Sequence, residues 1–296
     1  MTIEIQQLDR DVIGRRLGQN LYNPVGNLLL RKGVEITSRY YDFFEESGYK
    51  SIFLLNPSET AEKGPFGSDR LLATAPHVLK KIFRKLCHED RDLAAQAKQD
   101  IVSLAESILV HVTNSAMASP QIWELKRQND YLYQHCVNVA VYSIHVGQKL
   151  GFDDKRLLNL VIAALIHDLG MEFIDDNILY KSEQLDDQEI AQIHEHTTKG
   201  FTHLVRHCAF DGITTVASVQ HHERFDGEGY PKGLQGNSIH EFSRIIALTD
   251  FFDAWTSDRP HRRMHSFDYA LDFIRENRER MFDPVIVKPF IELFEH

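Results

Sequence analysis

The sequence predicts a mainly α protein, a helical bundle preceded by a small mixed α/β unit. Three observations lead there. From Leu71 onward apolar residues recur at spacings of three and four. Short alternating or apolar runs bounded by turn formers fill residues 1–57, and a stretch of turn formers separates the two regimes.

In the first unit Ile3 and Ile5 alternate with polar neighbours, as a half-buried strand does. Pro24-Val25-Gly26-Asn27 reads as a turn ahead of the apolar run Leu28-Leu29-Leu30, which Lys32-Gly33 breaks. Thr37-Ser38 caps a short helix that runs to Ser47-Gly48, and Ser51-Ile52-Phe53-Leu54-Leu55 closes the unit as a strand. A unit this small buries little surface alone, so it is expected to lean on the rest of the chain. Residues 56–69, NPSETAEKGPFGSD, are turn formers. The boundaries therefore fall as a small N-terminal domain at 1–57, a linker at 58–69 and a helical domain at 70–296, its motifs within 120–290.

Within the helical domain, Leu79, Ile82, Phe83 and Leu86 form one stripe, and Ala94, Ala97, Ile101, Leu104 and Ile108 a second. The second alternates three and four like a coiled-coil seam, so it fits either a homodimer interface or ordinary core, and over two heptads ordinary core is the commoner meaning. Val137–Val146 and Leu157–Ile166 are apolar on most faces, which predicts central helices packed on several sides. One Gly-rich loop, at 226–236, interrupts the helical regime.

Composition narrows the function classes. Lys and Arg total 33 against 43 Asp and Glu, a formal net charge of −10. Polymeric nucleic acids and anionic membranes are poor partners for such a chain, because both need surplus cations. The opening MTIEIQQLDRD lacks the basic-then-apolar order of a signal peptide, and the longest apolar run, 157–166, falls far short of a membrane span. Cys87, Cys136 and Cys208 are odd in number and widely spaced, without a disulfide framework or a Cys-x-x-Cys zinc pattern. The expected compartment is the cytoplasm.

Histidine is the informative residue, at 16 copies. His167-Asp168 closes an apolar helix, where a carboxylate is costly unless a cation or hydrogen bonds compensate it. Taken alone, the pair reads as a helix C-terminus, with Gly170 as the stop. It is accompanied, however, by His221-His222 after the stretch Ile213–Gln220, His135 near the start of one apolar helix, and His196 on the segment Ile190–Leu204. Asp250 follows the run Ile245-Ile246-Ala247-Leu248. Five histidines and two aspartates, each attached to a stretch that must face one core, point to a metal centre.

Imidazoles and carboxylates without thiolates suit Fe, Mn, Ni or Zn. Seven ligands exceed one ion's capacity. If Asp168 bridges, the others divide into His135, His167 and Asp250 on one ion and His196, His221 and His222 on the other. Paired ions about 3.5–4 Å apart activate a water and stabilise charge on a phosphate. Beside the paired ligands, Gly227, Gly229 and Pro231 force a rigid turn that shapes the rim of the site. Downstream, Arg259, Arg262 and Arg263 form a local basic cluster in an acidic protein, suited to clamp phosphate.

At these residues the sequence resembles the HD-GYP family, the cyclic di-GMP phosphodiesterase branch of the HD phosphohydrolases. The matching elements are His135-Cys136-Val137-Asn138-Val139-Ala140, His167-Asp168-Leu169-Gly170, His196 with Gly200, and HHERFDGEGYP at 221–231. Asp250, the SDRP segment at 257–260, and Phe282-Asp283-Pro284 complete the set. The resemblance implies an HD-type helical bundle around a two- or three-metal centre, often iron or manganese. It implies cleavage of cyclic di-GMP to pGpG and in some members to GMP, with the seven residues above as ligands.

By the same resemblance Asp168, Arg259 and Arg262 are the catalytic set. Arg259, Arg262, Tyr230 and the residue at position 171 meet substrate, and the turn around Tyr230 contacts diguanylate cyclases. Four positions depart from the family pattern. Met171 stands where the family has a lysine thought to meet the scissile phosphate, and losing one such contact commonly lowers rate by about 10²–10³. Ile174-Asp175 replaces Ile-Pro. Tyr131 replaces the glutamate that trinuclear members use, which favours two ions. His261 stands where tyrosine is common. The leading expectation is a dinuclear phosphodiesterase in which a hydroxide bridging the metals attacks phosphorus. The alternative is a weakly active or inactive module that binds cyclic di-GMP or a partner protein.

Overall fold

The computed structural model describes residues 3–22, 28–47, 49, 51–55, 69–114, 131–179, 181, 183–257 and 266–294. The chain divides into two compact units, one of residues 1–78 and 122–134, the other of 79–121 and 135–296.

In the first unit β1 (Ile3–Gln7) pairs antiparallel with β4 (Ser51–Leu55), Ile5 opposite Phe53. The ribbon β2 (Leu21–Tyr22) and β3 (Leu28–Leu30) pairs Leu21 with Leu30. The turn expected at Pro24–Asn27 lies outside the described residues, as does most of the expected linker. Helix α1 (Ser38–Glu46) starts where the sequence predicts, with Thr37 accepting from the Tyr40 amide. The expected helix and closing strand are thus present. Their apolar faces meet in a cluster of Val12, Leu17, Ile36, Phe44, Ile52 and Leu54. Each such side chain stabilises the unit by about 1.5–3 kcal/mol over leaving it exposed.

Helix α2 (Asp69–Leu86) leads into the second unit, where Leu79, Ile82, Phe83 and Leu86 are buried as their spacing predicts. The second stripe lies on α3 (Arg91–Asn114). Ala94, Ala97, Ile101, Leu104 and Ile108 are all buried within this chain, and the helix packs on α5 (Asp154–Ile166). The stripe is therefore core, and the seam reading is corrected: a neighbouring helix of the same chain fills the face a second copy would need.

Helices α4 (Tyr131–Lys149) and α5 are apolar on most faces, as predicted, and α5 buries Leu160 to Ile166 without a break. A 3₁₀ turn at Leu169–Phe173 and the short α6 (Asp176–Leu179) follow. The segment read as one stretch around His196 is instead two helices, α7 (Asp187–His194) and α8 (His196–Arg206), divided at Glu195. The division sets His196 in the first turn of α8, where its ring reaches inward.

Helix α9 (Gly212–Gln220) packs on α5, α8 and α10 (Glu241–Trp255), and α11 (Phe267–Glu276) and α12 (Pro284–Ile291) close the bundle. The non-helical stretch between α9 and α10, 221–240, is longer than the 226–236 predicted and holds only a short 3₁₀ turn, Gly236–Ser238. The cause is local: the Glu223 carboxylate, rather than a helical ladder, takes up the amides of Lys232 and Leu234. Among the described residues no helix is long and apolar enough to cross a membrane.

Candidate metal centre

Five helices deliver the side chains. His135 projects from α4, His167 caps the C-terminus of α5, Asp168 follows it, His196 opens α8, His221 and His222 follow α9, and Asp250 lies on α10. Two groups form. In each, one potential donor atom per residue lies within 4.8 Å of every other: Asp168, His196, His221 and His222 in one, His135, His167 and Asp250 in the other. These are the seven residues that the sequence singles out, in the same division.

Asp168 faces both groups. Its Oδ1 lies 3.3 Å from Nε2 of His196 and 3.3 Å from Nε2 of His221. Its Oδ2 lies 3.6 Å from Nε2 of His167 and 3.8 Å from Nε2 of His135. Asp250 faces His135 through Oδ1, at 2.9 Å, and His222 through Oδ2, at 4.0 Å.

The outer nitrogens are tied down. Nδ1 of His167 donates to the Ala164 carbonyl at 2.7 Å, that of His196 to Ile193 at 2.7 Å, and that of His221 to Ala217 at 2.8 Å. A carbonyl can only accept, so in the neutral rings Nδ1 holds the proton and Nε2 turns its lone pair to the centre. Nε2 of His196 and of His221 are 3.2 Å apart, and both His167 Nε2 and Asp168 Oδ1 are buried without a hydrogen-bond partner. A proton could serve one such contact. A divalent cation serves several lone pairs and a carboxylate at once, and the absence of thiolates suits a first-row metal. The residues fit a divalent metal.

The electrostatics agree. Burial opposes charge on His135, but its hydrogen bonds to Asp250 and Asp253 prevail and lift its pKa to about 9. Burial pushes His167 down to about 4 and His222 well below its usual range. Burial also disfavours the carboxylate of Asp168, yet the charge of His167 and the rings of His196 and His221 hold it well below the usual carboxylate range. His167, His222 and the Asp168 carboxylate are thereby in the protonation states that bind metal, whereas His135 must give up a proton to do so.

Backbone proximity explains a glycine of the motif. A Cβ on Gly170 would stand 1.8 Å from the His196 carbonyl oxygen and 2.9 Å from the Gly200 amide. Only glycine lets the 3₁₀ turn press against α8 and bring Asp168 to His196.

The sequence model of the family described as HD domain matches residues 91–286. The chain belongs to the HD domain family. It is 31% identical over 191 residues to a cyclic di-GMP phosphodiesterase of Pseudomonas aeruginosa, covering 64% of this chain and 45% of that one. It is 34% identical over 157 residues to a 3'3'-cGAMP-specific phosphodiesterase of Vibrio cholerae, covering 53% of this chain and 34% of that one. The match thus spans less than half the length of either relative. An HDG"Y"P protein of Bdellovibrio bacteriovorus shares the fold at TM-score 0.59 and 16% identity, over 100% of each chain. These likenesses agree with the motif resemblance and with the mainly helical architecture.

In this HD domain the motif residues divide into those at the centre and those that hold it. Tyr230 stacks on His222 (ring centroids 4.8 Å apart) and, at 3.8 Å, on His194. Its amide donates to the His222 carbonyl. The Gly-rich loop is pinned by the Phe225 and Asp226 amides, which donate to Met281 and Arg280. Asp283 caps α12 and pairs with Arg244 of α10, so the Phe282-Asp283-Pro284 element is a structural clasp. Met171 lies partly exposed in the 3₁₀ turn. Arg259, Arg262 and His261 lie outside the described residues.

Two functional carboxylates escape the sequence reading. Asp253 is fully buried, 2.6 Å from Nδ1 of His135, and accepts from Asn138 Nδ2 at 2.8 Å. The signal was present as a second acid three residues after Asp250, on the same helical face. Glu223, also buried, accepts from the amides of Lys232 and Leu234 at 2.8 and 2.9 Å and shapes the loop that carries Tyr230.

Proposed function

We propose that this HD domain is a metal-dependent phosphodiesterase that hydrolyses cyclic di-GMP to pGpG. The observation that carries the reading is the convergence of five inward-turned imidazoles and two carboxylates on one buried centre. The printed activity of the Pseudomonas aeruginosa relative supports the substrate.

In this reading His135, His167 and Asp250 would hold one divalent ion and His196, His221 and His222 a second, with Asp168 shared between the two groups. The donor set suits iron, manganese, nickel or zinc, and the family resemblance favours iron or manganese among them. When bound, such ions supply positive charge for phosphoryl oxygens and a water acidic enough to act as nucleophile near neutral pH. The protein's own groups do the rest. The carbonyls of Ala164, Ile193 and Ala217 hold the rings in register, so no reorganisation is needed when charge develops. Tyr230 walls the site against His222. Arg259 and Arg262 clamp the phosphate, and Met171 lines the substrate side without adding charge. The domain works in the cytoplasm on a dinucleotide, and the loop around Tyr230 offers a face for a diguanylate cyclase.

The test is hydrolysis of cyclic di-GMP by protein reconstituted anaerobically with Fe(II) or Mn(II), products being separated chromatographically, with Asp168→Ala as the blank. Turnover that disappears in the variant is the expected result. Protein that takes up two ions, binds the nucleotide and leaves it intact would reject catalysis in favour of a receptor.

A further inference from the structure

Three of the inward-turned rings are held by carbonyls of their own helical turn, whereas His135 is held by a carboxylate from another helix, Asp253. That carboxylate is shared. Its Oδ2 faces His135 Nδ1 and its Oδ1 accepts from the Asn138 amide. Both oxygens are acceptors, so Asp253 keeps a proton on His135 Nδ1 and leaves Nε2, 2.9 Å from Asp250, as the nitrogen that can release its proton to a metal.

We propose that Asp253 is a positioning residue that fixes the His135 tautomer, and that the Asn138 amide, by fixing which oxygen of Asp253 is spent elsewhere, makes that setting one-way. The proposal rests on the reading that His135, His167 and Asp250 hold one of two ions. A carboxylate behind a ligating imidazole both orients the ring and raises its basicity. Here it also adds negative charge to one group alone, because the rings of His196 and His221 have only neutral carbonyls behind them.

The arrangement makes a sharp prediction for Asp253→Asn. With Asn138 keeping the orientation in which it donates, the new amide turns its oxygen to Asn138 and its NH₂ to His135. Nδ1 of His135 then becomes an acceptor and Nε2 takes the proton, which closes that nitrogen to metal. Exchanging the two residues, Asp253→Asn with Asn138→Asp, reverses the constraint. The carboxylate at 138 accepts the NH₂, the amide oxygen turns back to His135, and the original tautomer returns with the same total charge.

The experiment measures Mn(II) uptake by calorimetry and by metal content after desalting. It compares wild type, Asp253→Asn and the exchanged pair, each checked for a cooperative thermal transition. Wild type is expected to hold two ions per chain. Asp253→Asn should hold one, the other weakened by about 10–100-fold, and the exchanged pair should recover most of that loss. Two ions at wild-type affinity in folded Asp253→Asn would overturn the proposal, as would a folded exchanged pair that recovers nothing. Should Asp253→Asn not fold, the Zn(II)-loaded wild type decides by ¹⁵N-histidine NMR, with His135→Gln for assignment. A proton on Nδ1 of His135 supports the proposal and a proton on Nε2 refutes it. Wild-type protein that binds fewer than two ions would instead count against the two-ion reading, and the NMR result would still judge Asp253.

Discussion

Met171 is the residue at which this centre departs most from the family it resembles. It sits in the 3₁₀ turn three positions beyond Asp168, where an uncharged thioether replaces a cation. Charge that develops on a phosphate there meets one donor fewer, so Met171→Lys should raise kcat by roughly 10² while leaving KM within a few-fold. A kcat unchanged or lowered in the variant would mean that position 171 does not face the reacting phosphate. The thiols give a second residue-scale prediction. Burial pushes Cys87 up to about 12 and Cys208 up to about 11. A raised thiol pKa means less thiolate at a given pH, so both should resist iodoacetamide at pH 8 and react once the chain is unfolded. Fast labelling of the native protein at pH 8 would contradict their burial.

At the scale of elements, the centre depends on two close contacts between backbone segments. The 3₁₀ turn meets α8 where a Cβ on Gly170 would strike the His196 carbonyl, an atom that cannot swing aside. Gly170→Ala should therefore lower stability by about 1–3 kcal/mol and displace His196 from Asp168, read as a drop in Tm together with weakened metal uptake. A variant with unchanged Tm and uptake would show that the turn can move away at no penalty. The second contact is the staple between Glu223 and the amides of Lys232 and Leu234. Glu223→Ala should take the carboxylate acceptor from the Lys232 and Leu234 amides, at about 0.5–1.5 kcal/mol each, and free Tyr230 from His222. The motif string HHERFDGEGYP thus divides structurally into two rings at the centre, a staple and a wall, a division its letters do not reveal.

For the whole molecule, a cation held between helices α4, α5, α8, α9 and α10 would tie together elements distant in sequence, so it should act on folding as well as on chemistry. Mn(II) at about a hundredfold its Kd should stabilise the folded protein by about 2.7 kcal/mol per site, and excess EDTA should remove that increment. Calorimetric transitions that do not respond to Mn(II) or EDTA would argue against a site that exists only in the folded chain.

Much of this architecture was legible from spacing and residue type. The strands and helix of the first unit, the buried stripes of α2, α4 and α5, and the seven His and Asp side chains that converge follow from periodicity, capping and the expense of placing His and Asp on apolar helices. Those signals are local: a helix reports its buried face wherever it packs, and a charged residue on that face declares that something must compensate it. What packs there is not local. The α3 stripe could have met a second copy, and only the fold shows α5 filling it. The break at Glu195 was hidden because apolar spacing continues through it. Asp253 looked like any acid on a helix until α10 lay beside α4 and put it 2.6 Å from His135. The sequence by itself determined which titratable side chains sit on apolar helices and so must meet in one core. The tertiary structure decided which carboxylate stands behind His135, because hydrogen-bond partners across helices depend on distances that no spacing along the chain encodes.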